Sequence, residues 1–164
     1  MKKLLVCFVM ILLCGCSVPT SYEAVEDVIP SADLSAAQEI QITFPDDAVV
    51  ETMESPAGTC YLCDEYTVSV QVLPGGNLEE SLQALTGLTK DALTLMKTRS
   101  GELQRYDTVW TAVSESGDQT CRLTLLDDGD YHYGVTVMAD AAIAGKLTGK
   151  WNALLESVQL VSTG

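Results

Sequence analysis

Cys60-Tyr61-Leu62-Cys63 has the spacing of a redox pair, and Cys121 and the single histidine, His132, are the other side chains that could join it. A Cys-x-x-Cys site works when a helix N-terminus lowers the pKa of its first thiol. Here the motif runs into Asp64-Glu65 and then a strand-like segment, and neighbouring carboxylates raise a thiol's pKa. In an extended chain the Cα atoms of Cys60 and Cys63 would lie about 10 Å apart, too far to bond to each other. If the strand alternation carries on uninterrupted, Cys60 and Leu62 share the face of Tyr66 and Val68, while Cys121 shares that of Leu123 and Leu125. Cys60 and Cys121 could then meet in the core, as a disulfide or as two buried thiols. A local Cys60–Cys63 redox pair is the alternative. Zinc would need Cys60, Cys63, Cys121 and His132 together. The expected hairpin turns Tyr131, Tyr133, Val135 and Val137 inward and His132 away from Cys121, so no metal is expected and His132 reads as a surface or edge residue.

No other constellation suggests catalysis. A Ser-His-Asp hydrolase would have to use His132, and no Gly-x-Ser-x-Gly elbow is present; Ser100-Gly101 and Ser116-Gly117 read as turns. Asp127-Asp128-Gly129-Asp130 has the composition of a calcium loop but lacks its alternating ligands and closing Glu, so it reads as a hairpin turn. Gly75-Gly76 lacks the Lys or third Gly of a phosphate-cradling loop. Trp110 and Trp151 read as packing residues. No catalytic residue and no cofactor are expected.

The N-terminus carries a different chemistry. Met1-Lys2-Lys3 is followed by ten apolar residues, Leu4 to Leu13, and then by Cys14-Gly15-Cys16. A cationic start, a short apolar run and a small residue before a cut make a secretory signal. Ten residues rise only about 15 Å as a helix, half the hydrocarbon thickness, so the run does not span a bilayer. Leu13-Cys14-Gly15-Cys16 resembles the lipobox of bacterial lipoproteins. The resemblance implies cleavage after Gly15, diacylglycerol on the Cys16 thiol and usually further acylation, such as palmitate, of the new amino terminus.

Nine bases stand against 23 acids in 164 residues, a net charge of −14. Lys2 and Lys3 leave with the signal and no acid does, so the mature chain is more acidic still. Such a surface excludes general nucleic-acid binding, which needs clustered Lys and Arg. It also excludes a second, electrostatic membrane anchor, because anionic headgroups repel it. The charge is read as solubility and standoff from the membrane, with a cation or basic partner as the alternative. Cys7 and Cys14 leave with the signal and lipid consumes Cys16, so Cys60, Cys63 and Cys121 remain, an odd number.

The elements follow from the patterns. Residues 16–38, with Pro19, Pro30 and several acids, read as a flexible tether reaching roughly 25 Å from the lipid. Residues 39–164 read as one domain. Ile40 and Ile42 alternate before the Phe44-Pro45-Asp46-Asp47 turn, and Ala48 to Glu54 ends at Ser55-Pro56-Ala57-Gly58. Tyr66 to Leu73 is the clearest strand. Asn77 caps a helix carrying Leu78, Leu82 and Leu85, with Glu80 at capping-box spacing and Gly87 as its stop. Leu88 to Leu95 fits either a longer helix or a strand. Four strands follow at meander spacing, then a helix with Ile143, Leu147, Trp151, Leu154, Leu155 and Val158 on one face. Gln159-Leu160-Val161 is expected as a short edge strand.

This order makes an α+β domain, an antiparallel sheet with helices packed on it. With Phe44-Pro45, Leu78-Glu79-Glu80-Ser81-Leu82 and Leu154-Leu155-Glu156-Ser157-Val158, it resembles the PsbP-like fold over about Ile40 to Leu160. That resemblance implies a PsbP-like sandwich and a binding or assembly role. The expectation is a non-enzymatic lipoprotein, anchored through Cys16 at the extracytoplasmic face of a bacterial membrane, with an envelope protein as partner. A thiol-disulfide or metal-handling protein using Cys60, Cys63 and Cys121 is one alternative, and a small-molecule-binding lipoprotein is another.

Overall fold

A computed structural model describes residues 34, 37–45, 49–55, 57–113 and 117–162. All of these belong to one compact unit, Ser31–Gly164. The expected signal peptide, Cys16 and the expected tether as far as residue 33 lie outside the described residues, as do Asp46, Asp47, Pro56 and Ser116 of the expected turns.

Among the described residues the strands are β1 (Glu39–Gln41), β2 (Val49–Ser55), β3 (Gly58–Cys63), β4 (Thr67–Pro74), β5 (Met96–Ser100), β6 (Leu103–Ala112), β7 (Gln119–Asp127), β8 (Tyr131–Asp140) and β9 (Gln159–Val161). Helix α1 spans Leu78–Thr86 and α2 spans Ala141–Glu156. Seven strands form one antiparallel sheet in the order β2-β3-β4-β8-β7-β6-β5. The α+β reading therefore holds, and the meander from β5 to β8 forms as its turn signals require. Between β4 and β5, the chain crosses to the far edge of the sheet through α1 and a 3-10 turn at Lys90–Ala92.

Each helix forms where its residues dictate. Asn77 Oδ1 accepts from Glu79 N at 3.1 Å and Glu80 N at 3.4 Å, satisfying donors that the first turn of α1 leaves open. Gly87 ends it in the left-handed conformation at φ 74°. Leu82 is fully buried, and Leu78 and Leu85 pack beside it against Tyr106, Leu123 and Leu125. In α2 the Asp140 carboxylate accepts from Ala142 N at 2.7 Å, while Leu147, Trp151, Leu154 and Leu155 bury themselves against Tyr66, Val68, Tyr133, Val135 and Val137. The two helices thus cover opposite faces of the sheet. Strand β8 lies under both and is buried at every position from His132 to Val137.

Three expectations change. Leu88 to Leu95 is neither helix nor strand beyond its 3-10 turn, because Thr86 Oγ1 bonds both Leu82 O and Leu88 N and closes the helix there. Val158 is buried but lies beyond α2, whose cap is Ser157. The Gln159–Val161 strand forms, yet it pairs with β1 in a separate two-stranded sheet rather than at an edge of the large one.

Candidate functional site

Among the described residues, Cys60, Cys63 and Cys121 form no disulfide. Cys60 pairs with Ser69 and Tyr61 with Val68, so Cys60 lies on the α1 side and not on the Tyr66–Val68 side. The expected parity fails because Asp64-Glu65 form a turn, closed by Cys63 N bonding Tyr66 O at 2.9 Å, and alternation does not carry across it. Cys121 does share the face of Leu123 and Leu125, but β4 and β8 stand between β3 and β7. Three strand spacings and a two-residue offset along the strands put Cys60 and Cys121 about 16 Å apart, more than twice the reach of a disulfide. The expected meeting of these two residues in the core does not occur. Cys60 and Cys63 project from opposite faces of one extended strand, so they cannot join unless β3 unpairs. Burial pushes the Cys121 thiol pKa up, and a hydrogen bond with the Ala112 backbone only partly offsets this.

His132 is also corrected. It is 2% exposed and lies on the same face as Cys121, because the even positions of β8 turn toward α1. A central strand covered on both faces has no solvent side for the alternation to reveal. Cys121 stands opposite Met138 whereas His132 stands opposite Asp127, six residues along the strand and about 20 Å away. Among the described residues no three His, Cys, Asp or Glu side chains are grouped to hold a metal.

A cluster missed by sequence reasoning surrounds this histidine. Its Nδ1 lies 2.7 Å from Ser81 Oγ on α1, and its Nε2 lies 3.8 Å from Asp127 Oδ1. Burial lowers the imidazole pKa, and the nearby Asp127 and Asp128 charges raise it by less, so the ring is neutral. Although the residue types are those of a hydrolase triad, Ser81 and His132 are both buried beneath α1, and the His–Asp distance is too long for a hydrogen bond. The cluster fastens α1 to the sheet. The one signal available was Ser81 in a helix position that faces the core between Leu78 and Leu82.

The Asp127–Asp130 segment is the expected hairpin turn, with Gly129 at φ 100°. Asp128 Oδ1 accepts from Asp130 N at 3.1 Å and Tyr131 N at 2.8 Å. Its Oδ2 accepts from Tyr133 Oη at 2.7 Å and Gln38 Nε2 at 3.2 Å. Burial raises this carboxyl's pKa, but the bonds from Tyr131, Tyr133, Asp130 and Gln38 together outweigh it and hold the group below its usual range. Tyr133 Oη in turn accepts from Gln38 N at 3.0 Å, and burial above all pushes its pKa up to about 12. Asp128 is therefore engaged in binding the chain to itself. It borders an open recess of about 550 Å3, also lined by Glu102, Leu103, Asp130 and Leu160.

On the α2 face Arg105 holds Asp107 through two bonds of 2.8 and 2.9 Å. Thr124, fully buried, donates to Asp107 Oδ1 at 2.6 Å. Trp151 packs in the α2 core against Tyr66 and Trp110 packs beside the α1 core, as packing residues should.

The class defined is an α+β domain built on an open antiparallel sheet with one helix on each face. Among solved structures it is similar to LpqN, described as involved in cell envelope biogenesis of Mycobacterium tuberculosis, with a TM-score of 0.51, 13% identity, and coverage of 77% of this chain and 85% of that one. A structure from Bacteroides thetaiotaomicron aligns at a TM-score of 0.49 and 10% identity, over 76% of this chain and 46% of the other. Likeness at such identities is one of fold. No protein-family model and no curated protein sequence matches the chain. No helix among the described residues is long and apolar enough to cross a membrane.

Proposed function

We propose that this protein is a non-enzymatic lipoprotein, held by lipid on Cys16 at the extracytoplasmic face of a bacterial membrane, whose PsbP-like domain binds or helps assemble other envelope components. The observation that carries this reading is Leu13-Cys14-Gly15-Cys16 closing a ten-residue apolar run behind two lysines. The role in envelope biogenesis attributed to LpqN supports it, because that protein shares the fold. Further support comes from how the polar groups are used. Ser81, His132, Asp128, Arg105 and Asp107 each bond another part of the same domain. Anchoring through two or three acyl chains is stable where one is marginal, and the acidic body contributes no headgroup attraction.

The test is metabolic labelling with an alkyne fatty acid in a bacterial host, followed by membrane fractionation of the wild type and Cys16→Ser. The wild type should carry label and sediment with membranes, and the variant should lose both while its domain stays folded. A Cys16→Ser protein that remains membrane-bound, or an unlabelled wild type, would overturn the proposal.

A further inference from the structure

Strand β5 pairs with β6 only from Leu103 to Asp107, whereas β7 pairs with β6 from Gln104 to Ala112. From Thr108 onward, the outer side of β6 therefore has no strand beside it among the described residues. A bond from Thr108 Oγ1 to Thr94 O at 2.9 Å marks the inner end of this notch. Open edges in monomeric sheets are usually blunted by charge. The other two edge stretches follow that rule, with exposed Glu51 and Glu54 on β2 and exposed Lys97 and Arg99 on β5. The notch does not. Thr108-Val109-Trp110-Thr111-Ala112-Val113 has no charged residue, is rich in strand-forming side chains, and leaves Val109 56% and Val113 81% exposed. Met96, at the start of β5, is 62% exposed on the same face.

A recess of about 240 Å3 lies there, lined by Met96, Val109, Asp107, Arg122 and Leu155 among others. Its two ionic walls differ. Asp107 is matched by Arg105, while the bond found for Arg122 is to a neutral amide, Asn152 Oδ1, at 2.6 Å. No carboxylate forms an ion pair with Arg122 among the described residues. Val109 and Arg122 stand directly opposite each other on β6 and β7. A strand added outside β6 would lie about 10 Å from β7, within the combined reach of an arginine and a glutamate.

We propose that the outer edge of β6 from Thr108 to Val113 accepts an extended segment of a partner protein as an added strand, with an apolar side chain over Met96 and Val109 and a carboxylate paired with Arg122. Backbone hydrogen bonds supply the adhesion, and the recess supplies the selection. This deepens the binding role proposed above and rests on it.

The test uses the full chain in detergent and a peptide carrying fluorescein on its amino terminus, Thr-Val-Thr-Glu-Thr-Val-amide, whose alternation puts Val and Glu on one face, read by anisotropy and by amide shifts. Saturable binding should move the amides of residues 108–112. Val109→Lys should weaken binding of the same peptide with Gln in place of Glu by roughly tenfold or more, since a charge on an open edge opposes strand addition. Arg122→Gln should weaken the Glu peptide by roughly tenfold while leaving its Gln counterpart unchanged, the behaviour of a specific charge pair. Absence of saturable binding, shifts centred elsewhere, or indifference to Val109→Lys would overturn the proposal. So would a peptide-free dimer abolished by Val109→Lys, which would make a second copy the occupant. Peptide failure would leave anchoring through Cys16 standing, and failure of lipidation would leave this readout intact.

Discussion

At the scale of single residues, the buried Ser81–His132 pair makes the domain sensitive to mild acid. His132 is the only histidine, and its pKa in the folded protein lies below the ordinary 6.5. A base with a depressed folded pKa binds its proton more readily when unfolded. Between 6.5 and the lower folded value the unfolded chain therefore carries more protons, and stability rises with pH. Unfolding free energy should fall as the pH drops through about 6.5, and His132→Gln should flatten that limb in denaturant titrations at pH 7 and pH 5. An equally steep limb in the variant would assign the effect elsewhere. Ser81→Ala leaves a buried ring nitrogen without its partner and should cost about 1–3 kcal/mol. This residue was illegible in the sequence. Alternation placed Tyr133, Val135 and Val137 correctly on one face but assumed that the other face met water. Only the order of the strands reveals that α1 covers it. The Cys60 parity failed for a local reason, the tight turn at Asp64-Glu65, which a run of alternating residues does not announce.

At the scale of elements, what was legible was what is local. The Asn77 cap, the Leu78-Leu82-Leu85 stripe, the Gly87 stop and the Asp128-Gly129 hairpin each depend on residues within one or two turns of each other. The fate of Leu88 to Leu95 was not legible, because crossing from β4 to the far edge is settled by β8 pairing with β4. The seat of α1 depends on one position of that strand. A Cβ added at Gly134 would lie 2.7 Å from Leu85 Cδ1 and 2.8 Å from Cδ2, closer than van der Waals contact permits. Gly134→Ala should therefore displace the Leu85 side chain from its place on the sheet and cost about 1–3 kcal/mol. The obstacle is a side-chain end, so Leu85→Ala should relieve it. The double variant should lose less than the sum of the two singles when a double-mutant cycle is read by urea denaturation. Strict additivity would mean that the helix seat is indifferent to this contact.

At the scale of the molecule, the charge and the topology act together. A chain at −14 resists association, and the charged side chains at β2 and β5 protect the sheet's edges. The uncharged notch on β6 departs from that pattern, and it is the stretch that the proposed strand addition would cover. The two ends of the domain are also joined. Ile40 pairs with Leu160 and Gln41 with Gln159, and Thr43 N donates to Ser157 Oγ at 2.9 Å across the chain. Ile40 and Leu160 pack against the α2 core, and Val158 is buried within it. The sequence pattern marked both short strands, but nothing local says that they pair with each other. Truncation after Ser157 removes Val158 and β9 together. Burial of an aliphatic side chain is worth about 1.5–3 kcal/mol, and Leu160 is only half-buried, so the loss should be about 2–4 kcal/mol. Hydrogen exchange should show Glu39–Gln41 losing protection while β4, β7 and β8 keep theirs, because the seven-stranded sheet does not include β9. If protection were lost uniformly, the two-stranded clasp would be integral to the whole fold. If it were unchanged, β1 would be held by its packing on α2 alone, and the pairing with β9 would contribute no stability of its own.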